Sequence, residues 1–209
     1  MNAGVTRWWL LRHAPMPAPA GMITGQLDLD ANCSDGAAFA ALARILPADA
    51  LWLISPLRRT RQTADAILVD LSLVPVVEPD LAEQHFGSWQ GRSYDDIQAT
   101  EPDRAARFWQ APAVERPPGG ESFADLVARV AAVLAARSRD HAGRDIVAVC
   151  HGGTIRAALA LALGLAPDRA LAFRIDPLSL TRLDHIPVPG AAPVWRVEAV
   201  NLPPGAVPP

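Results

Sequence analysis

Two histidines in this chain each follow a short apolar run, and that pattern is its strongest chemical signal. Trp8-Trp9-Leu10-Leu11 leads into Arg12 and His13, and Ile146 to Cys150 leads into His151-Gly152-Gly153-Thr154. Such runs read as buried strands, and in open α/β sheets ligands bind where the loops diverge beyond the strand ends. A histidine delivered there can act as nucleophile, base or ligand. Arg12 adds a fixed charge and planar donors suited to a phosphate. The glycines after His151 open a helix, whose backbone N–H groups and positive dipole end then lie close to it. Arg59 supplies a second charge, and a cluster of this kind neutralises a phosphoryl group as it transfers. Glu83, in a loop rich in turn-formers and aromatics, can give a departing alcohol its proton. Taken singly, each is also an ordinary polar residue at a strand end or in a loop; the combination carries the reading.

Composition excludes several other classes. The chain has 209 residues, half of them apolar, and a net charge of −3, which fits one domain and argues against a polyanionic partner such as nucleic acid. All 19 basic residues are Arg, with no Lys, so no arginine is informative merely by being one. The five histidines include no HExxH or other close ligand spacing, so no metal and no cofactor are expected. Cys33 and Cys150 lie far apart, which fits a reducing compartment. There is no signal-peptide pattern, and the apolar run at Trp8 is too short to span a bilayer. The expected location is cytoplasmic, with a small phosphorylated metabolite as partner, no nucleic acid or membrane, and an open oligomeric state.

The elements that must position these residues follow in order. Strands are predicted at Val5 to Leu11, Ala50 to Ile54, Val74 to Val77, Ile146 to Cys150, Ser179 to Leu183 and Val194 to Val200. Helices are predicted from a Ser34 or Asp35 cap through Leu46, from Ser55-Pro56 to about Asp70, from Glu121 along Phe123, Leu126, Val130 and Leu134, and from Thr154 to Leu163. Pro15, Pro17, Pro19 and Gly21 force an irregular loop after the first strand. Residues at about 85–118 read as a lid-like excursion over the sheet, with residues 1–200 forming one domain and 201–209 a loose tail. The alternation of strands and helices predicts an α/β, three-layer sandwich with a mostly parallel central sheet.

Five segments together resemble the histidine phosphatase, or phosphoglycerate mutase-like, superfamily. They are Leu11-Arg12-His13, the stretch Ser55 to Ala64, the stretch Leu81 to Gly91, Pro118-Gly119-Gly120-Glu121-Ser122, and His151-Gly152-Gly153-Thr154-Ile155-Arg156, in the family's order. The resemblance implies that His13 is the phosphorylated nucleophile and that Arg12, Arg59 and His151 hold the phosphoryl oxygens with the backbone of Gly152. Glu83 matches the family's proton donor, whereas Arg58 sits one place off the matching position. The implied activity is metal-independent hydrolysis of a phosphate monoester, with mutase-type transfer as an alternative. Arg12-His13-Ala14-Pro15 followed by Gly25-Gln26-Leu27-Asp28 is most similar to α-ribazole phosphatase-like members, which act late in cobalamin biosynthesis.

Two rival readings arise from the same residues. Ala14 stands where family members usually have Gly, which crowds the pocket by a methyl and is strained at positive φ; it motivates a non-catalytic phosphate-ester-binding module. Cys150 to Arg156 also fits the Cys-x5-Arg loop of cysteine phosphatases, although strand alternation turns Cys150 and His151 to opposite faces.

Overall fold

The computed structural model describes residues 4–69 and 73–207. A six-stranded sheet runs through it, built from β1 (Thr6–Arg12), β2 (Leu51–Ile54), β3 (Val76–Val77), β4 (Asp145–Cys150), β5 (Leu180–Ile186) and β6 (Val194–Leu202), in the order β3-β2-β4-β1-β5-β6. Neighbours from β3 to β1 pair in parallel, and β5 and β6 add antiparallel pairings at the other side. The sheet is therefore mostly parallel, as predicted.

The helices are α1 (Gly36–Ile45), α2 (Arg58–Ile67), α3 (Tyr94–Thr100), α4 (Pro102–Gln110), α5 (Phe123–Asp140), α6 (Gly152–Leu163) and α7 (Pro167–Ala170). Alternation along the central strands decides the layers. Trp8, Leu10, Leu53, Ile146, Ala148 and Cys150 face α5 and α6, in a core with Phe123, Leu126 and Ile155. Trp9, Leu11, Trp52, Ile54, Val147 and Val149 face α1 and α2, against Phe39, Leu42 and Ala64. Burial on both faces explains why these strands read as unbroken apolar runs. The polar ends of the two β1 indoles are satisfied: Trp8 Nε1 donates to Ser138 Oγ at 2.8 Å and Trp9 Nε1 to Asp145 Oδ1 at 2.9 Å.

Several element ends differ from expectation. α2 starts at Arg58 rather than at Ser55-Pro56, because the Ser55 side chain is taken up by Leu57 N and by Thr60 Oγ1; the end predicted near Asp70 lies outside the described residues. α5 starts at Phe123, not Glu121, because Ser122 and Asp125 form a reciprocal capping box. α6 starts two residues before Thr154, at Gly152. β3 keeps only two residues of the predicted strand, and β6 extends through Asn201 and Leu202, which the sequence reading assigned to the tail. The excursion folds into α3 and α4 around Ile23, Trp89, Ile97, Ala105 and Phe108. Among the described residues no helix is long and apolar enough to cross a membrane.

Candidate active site

β1 and β4 are adjacent, with Arg12 in register with Cys150, so the next residue of each strand emerges at the same point. His13 N donates to Cys150 O at 3.0 Å, and the His13 and His151 rings lie 5.1 Å apart between centroids. Both side chains are buried. His13 Nδ1 is 2.7 Å from Ala14 O. A carbonyl only accepts, so Nδ1 carries the proton and Nε2 keeps its lone pair. Burial first, then the charge of Arg59, push the His13 pKa from 6.5 down to about 3, against the Ala14 hydrogen bond and with a smaller push from Arg12.

His151 has the opposite tautomer. Arg59 Nε donates to its Nδ1 at 3.3 Å, so Nε2 carries the proton and reaches Ser55 Oγ at 2.8 Å. Burial first, then the neighbouring His13 and the charges of Arg59 and Arg12, hold its pKa well below the ordinary histidine value. Both rings are neutral, and both nitrogens of His151 already have protein partners.

The cations are anchored by backbone carbonyls. Arg59, fully buried on α2, donates from Nη1 to Leu27 O and from Nη2 to Gly25 O, each at 2.7 Å. Arg12 donates from Nη1 to Ile175 O, while its Nε is buried without a partner. A buried donor left open is costly, and an anion beside it removes that cost. Burial lowers the pKa of both guanidinium groups, and the nearby Glu83 charge opposes it.

Glu83 joins this cluster from the loop after β3. Its Oε1 accepts from Gln84 N at 2.9 Å and its Oε2 from Gly153 N at 3.1 Å, at the first turn of α6. Gly152 opens that helix, and a Cβ there would lie 3.6 Å from Arg12 Nε. Gln90 ties the two mouth loops together, its Oε1 accepting from Gln26 N at 2.7 Å and Phe86 N at 3.3 Å. A cleft of about 360 Å³ opens beside these groups, lined by Gly25, Glu83, Gly153 and Arg156 and walled by Tyr94 and Trp109 of the excursion.

Three expectations are resolved by this geometry. Ala14 is not at positive φ, since the only non-glycine residues there are Leu178 and Asn201 among those described; its N–H donates to Thr63 Oγ1 and its methyl packs in the core. Cys150 is fully buried in the core on the α5 and α6 side, and burial pushes its thiol pKa far up, so the thiolate needed by a cysteine phosphatase is disfavoured. Arg58 points away, onto Asp28 and Asp30. Among the described residues no group of three or more His, Cys, Asp or Glu side chains is arranged to hold a metal ion.

The model of the histidine phosphatase superfamily (branch 1) matches residues 8–196. The chain belongs to the histidine phosphatase superfamily. Relatives of the chain include the glucosyl-3-phosphoglycerate phosphatase of Mycolicibacterium vanbaalenii, 34% identical over 94% of this chain and 95% of the relative. The metal-independent phosphoserine phosphatase of Arabidopsis thaliana is 33% identical over 75% of this chain and 68% of its own length. Among solved structures, a putative alpha-ribazole-5'-P phosphatase from Escherichia coli superposes with a TM-score of 0.81 at 25% identity, covering 97% of this chain and 98% of that one.

Two residues of this site carry no assigned part in the phosphoryl cluster expected from the sequence. Ser55 reads as a helix opening within the Ser55 to Ala64 segment, yet its hydroxyl holds His151. Arg156 figures in the sequence only as the last residue of the Cys-x5-Arg match, yet it lines the cleft. Its position four residues after Gly152 on α6, and so on the same helix face, was the available signal.

Proposed function

We propose that this chain hydrolyses a small-molecule phosphate monoester through a phosphohistidine on His13. The observation that carries the reading is the neutral His13, with its proton fixed on Nδ1 by Ala14 O, near the buried Arg59 and the half-buried Arg12. Nε2 attacks phosphorus and the ester P–O bond breaks, with the developing charge on the phosphoryl oxygens met by Arg12, Arg59 and the α6 N-terminus. Protonated Glu83 gives its proton to the leaving alkoxide. The resulting Glu83 carboxylate then takes a proton from water as that water attacks phosphorus and breaks the P–N bond, which releases phosphate and restores both groups. His151 turns its Nε2–H from Ser55 toward a phosphoryl oxygen when substrate enters. Gly152 contributes its backbone at the same end of the helix.

The reading needs no metal, because the charge is supplied by side chains, and its proposed substrate is a phosphorylated metabolite of the cytoplasm. The names of the relatives, phosphatases for glucosyl-3-phosphoglycerate and for phosphoserine, support hydrolysis of a small ester. Rapid quenching during turnover of 4-nitrophenyl phosphate in excess chelator tests it. Phosphate is expected on His13 in an acid-labile, base-stable linkage, absent in His13→Ala and retained in Cys150→Ser. Phosphate trapped on Cys150, or turnover that stops with chelator and returns with a divalent ion, would overturn it.

A further inference from the structure

Of the five segments that resemble the family, Pro118-Gly119-Gly120-Glu121-Ser122 has no part in the phosphoryl cluster. It lies instead against the loop that carries Glu83. Glu121 N donates to His85 O and Ser88 N to Pro118 O, each at 2.9 Å. A Cβ on Gly120 would be 2.4 Å from His85 O, so only glycine lets the two backbones meet there. The Glu121 side chain continues the contact: its Oε1 accepts from His85 N at 2.9 Å, and Gln84 Nε2 donates to Glu121 O at 3.0 Å.

Glu121 is paired with Arg129 of α5, whose Nη2 reaches Oε1 at 2.7 Å. The other donors of Arg129 go to the same loop. Nη1 donates to Asp80 O at 2.6 Å and to Ala82 O at 3.1 Å, and Nη2 lies 3.5 Å from Glu83 O. Thr154 Oγ1, on α6, is 3.2 Å from both Leu81 O and Ala82 O, and Gln26 Nε2 donates to Glu83 O at 2.8 Å. The carbonyls of four successive residues, Asp80 to Glu83, are thus all held by side chains from outside the loop. Residues 82–86 belong to no helix or strand, so these side chains supply the partners that regular structure would otherwise give. An exposed ion pair beside a helix start needs no such account. This one is only 19% and 20% exposed, and neither residue lines the cleft.

We infer that Arg129 and Glu121 are positioning residues for Glu83: they fix the path of the loop from Asp80 to His85, and so the place from which the Glu83 carboxyl reaches the leaving oxygen. This rests on the phosphatase reading above and adds two residues that act from outside the cleft. The planar guanidinium presents its donors in a rigid fork, so it sets two carbonyls and a carboxylate relative to one another, which an ammonium on a flexible stem does not. The Glu83 carboxyl in turn rests on Gln84 N in the loop and Gly153 N in α6. A loop that moves by about 1 Å loses that register, and a displacement of this size in a catalytic group costs on the order of a hundredfold.

The experiment follows phosphoenzyme formation by rapid quench with glycerol 3-phosphate and with 4-nitrophenyl phosphate. Arg129→Met keeps much of the stem and removes the fork; it is expected to slow the alkyl ester by about tenfold to a hundredfold and the aryl ester by less than about threefold. Arg129→Lys keeps the charge opposite Glu121 without the fork, and should show the same selectivity to a smaller degree. In a Glu83→Gln background, Arg129→Met should add no further slowing for the alkyl ester, because both changes act through one group. The exposed Arg139→Gln on the same helix should leave both rates unchanged. Equal slowing of both esters, a multiplied loss in the double variant, or wild-type rates in Arg129→Lys would overturn the inference and leave an ion pair that only ties α5 to the segment before it. Failure of the phosphatase reading looks different: the wild type then turns over neither ester, or Glu83→Gln itself slows both alike. The Gly153 amide resonance of nitrogen-labelled protein still decides the role of Arg129. It should move in Arg129→Met and in Arg129→Lys toward its position in Glu83→Ala, and an unmoved resonance would overturn the inference.

Discussion

Glu83 and Gly153 approach so closely that no side chain fits between them. A Cβ on Gly153 would lie 2.1 Å from Glu83 Oε1 and 3.2 Å from Leu126 Cδ2, while the Gly153 N–H holds Glu83 Oε2 at 3.1 Å. The glycine is needed here for approach rather than for backbone conformation, since it lies inside the first turn of α6. It fixes where the carboxyl can sit.

Gly153→Ala is therefore expected to displace Glu83 while leaving the two histidines and Arg59 in place. A shift of about 1 Å in a catalytic group can cost on the order of a hundredfold in rate. Turnover of alkyl phosphates should fall by about that factor. Alkyl phosphate kinetics that match the wild type would show that Glu83 is not held by this contact.

The role of Glu83 is separated from that of Arg59 by the leaving group. Glu83→Gln removes a proton donor worth typically ~10²- to 10⁴-fold for a poor leaving group, and an aryl oxide of low pKa hardly needs it. Phosphoenzyme formation, followed by rapid quench so that the later water step does not intrude, should slow far more for an alkyl ester than for 4-nitrophenyl phosphate. Arg59→Ala removes charge stabilisation that both esters use and should slow both alike. Equal slowing of both esters by Glu83→Gln would reduce Glu83 to a residue that orders the pocket.

What could be read from the sequence and what could not follows from the kind of information each feature carries. His13 and His151 were legible because each ends an unbroken apolar run, and such runs are central parallel strands buried on both faces. Their adjacency was not, since it depends on β4 inserting between β1 and β2, and strand order leaves no local trace. The antiparallel pairing of β5 and β6 was hidden for the same reason. Arg156 is visible in the sequence only as the arginine of the Cys-x5-Arg match, and the cleft gives it a place beside Glu83 and Gly153. Ser55 reads as a helix opening because Ser-Pro is a good one, whereas its hydroxyl serves the first turn and His151 together. Ala14 raised a doubt that only its backbone angles could remove.

The buried histidines give the fold a pH dependence whose sign can be worked out. In the unfolded chain His13 takes up a proton near 6.5; in the folded chain burial and Arg59 delay that to about 3. Between these values the unfolded state holds the extra proton, so stability is full above 6.5 and is lost as pH falls toward 3. One such group contributes a slope approaching about 1.4 kcal/mol per pH unit in the middle of that window. His151 is shifted in the same direction by burial and by His13. His13→Gln removes one of the two, so urea unfolding measured from pH 7 to pH 4 should show a shallower loss of stability for the variant than for the wild type. The difference between the two proteins isolates the histidine from the carboxylates, which titrate in both. Identical slopes would mean that His13 takes up its proton in the folded chain as it does in the unfolded one, near 6.5, and so loses the Nε2 lone pair needed to attack a phosphate ester as pH falls below that value.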